Sequence, residues 1–147
     1  MKLAMKIKKD VQAVIFDHMD NKTLILIVKK VDFADGKPRW RLLKGGVEKN
    51  EDEEQALKRE IHEEIGIKKV RVLEKIYEYE FVFDNIKHEV SSFLVWASIY
   101  QPIKLENSEI LGCAWVKLNN ALQLLHWENE KEAVIKAREW LDKHFKF

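Results

Sequence analysis

The chain has 147 residues, of which 46% are apolar and 35% charged, and its net charge is +1. Such a composition excludes a disordered chain, and the balanced charge argues against a general binder of nucleic acid or anionic membrane. Lys and Glu carry the excess of charge over an average protein, a bias associated with growth at high temperature. The length fits a single domain, taken as residues 1–147. The longest strongly apolar run, LILIV at 24–28, is far short of a membrane span, and the lysine-bearing N-terminus has no apolar core of a signal peptide. Cys113 is the only cysteine, which rules out an intramolecular disulfide and suits a reducing cytoplasm; it is expected to be a small buried hydrophobe.

In chain order, VQAVIFD (11–17) and TLILIVKKVD (23–32) are β-branched-rich and are expected to be strands around the turn HMDNK. DFADGKP (32–38) is expected to be a loop, followed by a short strand, RWRLL. Helical periodicity runs over 52–65, with Asp52 and Gln55 as an N-terminal capping pair and Gly66 as the C-terminal stop. Further strands are expected at 70–83, 88–99 and 110–116, and NNALQLL is expected to be a short helix. NEKEAVIKAREWLDKHF is expected to be a longer helix, with Asn129 and Glu132 as a capping box and Val134, Ala137 and Leu141 buried. Strands that pair locally, with helices between and after them, predict an α/β sandwich on a mixed sheet.

The stretch REIHEEIGI (59–67) is the one that local stability does not explain. Glu60, Glu63 and Glu64 fall at i, i+3 and i+4, where like charges repel, and Glu63 and Glu64 lie in the last turn, where the helix dipole disfavours anions. At about 100° per residue, Leu57, Ile61 and Ile65 form an apolar stripe that the three glutamates flank. Lys58 and His62 lie on the opposite, solvent-facing side, and Arg59 points away, so no basic residue is expected at the carboxylates. Half-withdrawn like charges need a cation or a proton. An oxygen-only donor set beside a glycine loop suits Mg²⁺ or Mn²⁺; from the residues alone, a solvated charge run is an equally good account.

The segment GGVEKNEDEEQALKREIHEEIGI (45–67) resembles the Nudix box: Gly45, Glu51, Arg59, Glu60, Ile61, Glu63, Glu64, Gly66 and Ile67 match every fixed position. Leu43 stands where the family usually has Pro, and Asn50 where it often has Gly. The resemblance implies a Nudix-type α/β/α sandwich with a mixed central sheet, and a divalent-metal-dependent hydrolase of a phosphoanhydride in a nucleoside diphosphate-linked substrate. It further implies that Glu60, Glu63, Glu64 and the Gly45 carbonyl hold Mg²⁺ (or Mn²⁺), and that Arg59 pairs with Glu51 to fasten the loop. Glu60 is the first candidate for the general base and Glu109 the second; His62 and His88 are not taken as ligands. HEEIG also lacks the second histidine of a zinc-protease helix.

Ahead of the box, Arg41 and Lys44 are the expected phosphate contacts, while Lys29, Lys30 and Lys37 are expected to be ordinary surface lysines. In YEYEFVF, the residues Tyr77, Tyr79, Phe81 and Phe83 share one strand face, and Phe81 and Phe83 are the candidate base contacts. No proline stands near position 82, which argues against an ADP-ribose pyrophosphatase, and NADH and coenzyme A signatures are missing. The resemblance favours a dinucleoside polyphosphate of the diadenosine tetraphosphate type as substrate. A MutT-like pyrophosphohydrolase of nucleoside triphosphates, including oxidised ones, comes second, and a non-catalytic nucleotide-binding module third. The expected partner is a small nucleotide, with neither nucleic acid nor membrane.

Overall fold

The structure is a computed structural model and describes residues 5–145; Met1 to Ala4, part of the segment read for a signal peptide, lie outside the described residues. β1 (Lys6–Met19) and β2 (Lys22–Val31) form a hairpin whose two linking residues, Asp20 and Asn21, both have positive φ. Asp and Asn tolerate that conformation, and a two-residue turn of this hand matches the twist of the strands it joins. The same pair of residue types, Asp84–Asn85, links β5 (Arg71–Phe83) to β6 (Ile86–Trp96).

β1 is the centre of the sheet. It pairs in parallel with β6 over its first eleven residues, and on its other edge it pairs first with β4 (Leu43–Gly46) and then with β2. The strand order is β3–β2–β1–β6–β5, with β3 spanning Pro38–Arg41; β7 (Ile110–Lys117) runs beside β2. One parallel pairing among antiparallel ones makes the sheet mixed, as expected. β1 begins at Lys6, five residues before the apolar run that predicted it, because the parallel ladder to β6 carries its polar start.

Alternation along β1 divides the core. Val11, Ala13 and Ile15 pack under α1 (Glu53–Ile65), while Val14 and Phe16 pack under α2 (Leu118–Leu124) and α3 (Glu128–His144). The result is helix, sheet, helix: the α/β/α sandwich. Leu57, Ile61 and Ile65 of α1 are completely buried, each worth about 1.5–3 kcal/mol of burial. Asp52 and Gln55 form the expected reciprocal cap, and Gly66 has φ 73°, so α1 starts and stops where its sequence directs.

Two local expectations fail for tertiary reasons. RWRLL is not one strand: it breaks at Leu42, where the chain leaves β2 for β1. α3 buries Val134, Ala137 and Leu141 as expected, but it begins one residue early, at Glu128, and has no side-chain cap. Asn129 instead accepts a hydrogen bond from the Tyr77 hydroxyl at 3.1 Å. Among the described residues no helix is long and apolar enough to cross a membrane.

Candidate active site

α1 carries its three glutamates along the edge of its buried stripe, and the side chains differ sharply in exposure: Glu64 7%, Glu60 15% and Glu63 58%. Glu60 lies directly against the backbone of β4: a Cβ built at Gly45 would sit 2.0 Å from Glu60 Cδ. The glycine is therefore required by close approach, not by its backbone angle.

Arg59 does not point away, as helical geometry alone suggested. Its long side chain folds back over the loop: Nε and Nη2 donate to Glu51 at 2.7 and 2.9 Å, and Nη2 also donates to the Gly46 carbonyl at 2.9 Å. Nη1 reaches Glu60 at 2.8 Å and Glu63 at 3.2 Å, with Glu48 at 3.6 Å. The two-pronged grip of the guanidinium pulls the Glu51 carboxyl down to about 2 and raises the Arg59 pKa further above its ordinary value. The expected Arg59–Glu51 pair is thus formed.

Lys30 corrects a second expectation. The sequence predicts an ordinary surface lysine, yet its ammonium lies 3.3 Å from Glu64 Oε1. The signal was present in the sequence, since Lys30 continues the Leu26, Val28 alternation toward α1. Burial raises the Glu64 pKa; Lys30 works against that shift, and the charges of Glu60 and Glu109 add to it. Glu109 is exposed and ends the loop before β7, and its amide donates to Asn107 Oδ1 at 2.9 Å. Four carboxylates, of Glu60, Glu63, Glu64 and Glu109, thus share one region with two of the chain's own cations.

Whether these residues suit a divalent ion can be judged from Glu64. Its Oε2 is buried and has no hydrogen-bond partner among the described residues, and an unsatisfied buried charge is costly. No three His, Cys, Asp or Glu side chains among the described residues converge closely enough to enclose an ion. The carboxylates instead turn to Arg59 and Lys30. The donors are all oxygen, one is orphaned, and the charge present is less than fully offset; the set fits a hard divalent cation.

Of the expected substrate residues, Lys44 lies on the sheet face opposite α1. In β4, Lys44 pairs with Gln12 and Gly45 with Val11, so Lys44 faces the α3 side while Gly45 faces α1. Lys44 Nζ sits 4.4 Å from the centre of the Phe81 ring, and burial, with the Arg41 charge second, lowers its pKa. Tyr77, Tyr79 and Phe81 stack in sequence, and His88 lies flat on Phe81 with ring centres 4.6 Å apart. Phe83, at the hairpin end, is exposed. His88 also bonds Asp10 at 2.7 Å, on the sheet face opposite α1. The Arg41 guanidinium is already engaged, by Glu130 at 2.7 Å and by Asp32 at 3.6 Å. Cys113 is half-buried against the α1-side core, and burial pushes its thiol up to about 11.

A family model described as the NUDIX domain matches residues 8–138. The chain belongs to the Nudix family. It is a Nudix hydrolase, an enzyme of phosphorus-containing acid anhydrides, and divalent metal ions are a general requirement of that family. No curated protein sequence matches the chain. Among solved structures, a C. elegans Ap4A hydrolase in a binary complex superposes with a TM-score of 0.81 at 22% identity, covering 92% of this chain and 98% of that one. The MutT protein of Methanosarcina mazei Go1 gives 0.73 at 21% identity, covering 94% and 98%. The NUDIX domain of Shewanella oneidensis NrtR, complexed with ADP ribose, gives 0.73 at 19% identity, covering 95% and 90%. At these identities the likeness is one of fold.

Proposed function

We propose that this Nudix hydrolase, read as one domain over 1–147, cleaves a phosphoanhydride of a dinucleoside polyphosphate of the diadenosine tetraphosphate type, with Mg²⁺ or Mn²⁺. The observation that carries the reading is the orphaned, buried Glu64 oxygen beside Glu60, in a box where Glu60 packs on Gly45. Glu60, Glu63, Glu64 and the Gly45 carbonyl would hold the ion. When bound, it supplies charge that screens the diphosphate and acidifies water. Arg59 keeps the Gly46 and Glu51 loop against α1, so the glutamates are held in place before substrate arrives.

Glu60 accepts the proton of the attacking water; Glu109, whose charge already bears on Glu64, is the second candidate. Lys44 contacts a phosphate and, with Phe81 and the more exposed Phe83, meets the nucleoside end of the substrate. The Tyr77–Tyr79–Phe81 stack offers a flat apolar face of the kind a base can extend, which favours a dinucleoside. Arg41 is the weaker of the two cationic candidates, since two carboxylates hold it. The second reading is a MutT-like hydrolase of nucleoside triphosphates, favoured by a fold overlap with the M. mazei MutT protein that spans nearly the whole of both chains.

A panel of dinucleoside polyphosphates and nucleoside triphosphates with Mg²⁺, run in ¹⁸O-labelled water with products separated, tests both. Symmetric dinucleotides cleaved faster than triphosphates support the first reading, and the reverse supports the second. Glu60→Gln and Glu64→Gln should each remove most turnover, by at least about a hundredfold. Wild-type rates in both variants would end the assignment of those residues, and tight nucleotide binding without any turnover would instead mark a binding module.

A further inference from the structure

The backbone that delivers Lys44 and Gly45 changes partner strands at one residue. β3 ends at Arg41, paired to β2, and β4 begins at Leu43, paired to β1, so Leu42 belongs to neither ladder. Leu42 is buried, and a buried amide outside a ladder needs another acceptor. It finds one 88 residues later: Glu130 Oε1 accepts the Leu42 N–H at 2.7 Å. The other oxygen, Oε2, accepts Arg41 Nε at 2.7 Å.

Glu130 is only 2% exposed. It stands in the first turn of α3, where the helix dipole favours an anion. Across Arg41 from it, Asp32 of the β2–β3 loop lies 3.6 Å from the guanidinium and accepts the Trp127 indole N–H at 2.6 Å, tying that loop to the start of α3. The Glu130 charge also bears on Lys44 and on Tyr79. The chemistry proposed above makes no use of this carboxylate, and the fold has a cheaper way to cover an apolar strand than burying an anion there.

We propose that Glu130 is a positioning residue of the hydrolase site: by gripping Leu42 and Arg41 it fixes the β3–β4 step and so sets where Lys44 lies. The inference rests on the reading of Lys44 as a substrate contact. In Glu130→Gln the amide oxygen still serves Leu42, but its NH₂ faces the Arg41 guanidinium, donor against donor. In Glu130→Ala both bonds are lost.

Two measurements on the whole chain test this. Hydrogen exchange of the free protein reads the step itself: amides of 42–46 should exchange at least about tenfold faster in Glu130→Gln, with those of β6 unchanged. Steady-state kinetics on the preferred nucleotide read its use: KM should rise about tenfold in Glu130→Gln, with kcat within about twofold of wild type. In an Arg41→Met background, Glu130→Gln should add less than about a twofold further change in KM, because the two act as one unit. Should Glu130→Ala fail to fold, Glu130→Gln alone decides. Unchanged exchange at 42–46 overturns the proposal, as does a KM that stays at the wild-type value while the melting temperature falls. A multiplicative, undiminished effect in the Arg41→Met background also overturns it. An inactive wild-type enzyme would count against the substrate reading, and the exchange experiment, which needs no substrate, would still judge the brace.

Discussion

At Gly45 there is room for a hydrogen and nothing more. An added methyl would meet the Glu60 carboxyl carbon at 2.0 Å, but it would meet the far end of a flexible side chain, not backbone. Gly45→Ala should therefore fold and melt close to wild type while Glu60 is pushed aside. Turnover should fall by about 10², the cost of a displacement near 1 Å at a reacting centre; a variant that keeps full kcat would show that Glu60 need not sit against β4. The glutamate triad stood out by its local spacing, and the Arg59–Glu51 pair followed from the resemblance to the Nudix box, not from helical geometry. Glu130 was not legible, because a helix glutamate acquires meaning only from the residue facing it, 88 positions away; for Lys30 the strand alternation gave the side of the sheet, but not its partner Glu64, 34 positions on.

Elements show the same divide. The α1 cap is a three-residue affair, so Asp52 and Gln55 announced it; Asp52→Ala should cost roughly 1 kcal/mol, a few degrees in melting temperature. An unchanged melting temperature would mean that the reciprocal cap holds nothing. α3 offered a similar pattern at Asn129 and Glu132, but Tyr77 of β5 takes the Asn129 oxygen, and no local rule foresees that competition. The loop joining β2 to β3 carries a pH dependence. Burial of Asp32 works to raise its pKa, but the Ala34 amide, the Trp127 indole and the Arg41 charge outweigh it and hold the carboxyl below its ordinary value. A carboxyl shifted down stabilises the fold above the unfolded-state pKa, and that contribution disappears as pH falls through the folded value. Asp32→Asn should thus be less stable than wild type at neutral pH, with the two denaturation curves converging in strong acid. Parallel curves at all pH values would remove Asp32 from the linkage.

For the whole molecule, the sandwich and its mixed sheet followed from the order of apolar runs, whereas the pairing of β1 along both edges and the split of RWRLL between two ladders lay beyond them. A divalent ion held by these glutamates would bind the folded chain and not the unfolded one, so it should raise the melting temperature by mass action. Millimolar Mg²⁺ or Mn²⁺ should raise it by several degrees, and a chelator should reverse the gain. Glu64→Gln should abolish most of the response; an equal gain in that variant would place the ion elsewhere.

β1 meets its parallel partner β6 only 80 residues later in the chain, whereas its hairpin with β2 closes across two residues. As the polypeptide leaves the ribosome, the acidic helix is therefore complete while β6, the sheet partner of the strand that carries Phe81, has yet to be made. Pairing across so long a separation is slow, and β6 with β5 joins the sheet only through β1. A nascent chain stalled before residue 86 should bind no nucleotide, however intact its carboxylates, and the enzyme should become competent in one late step.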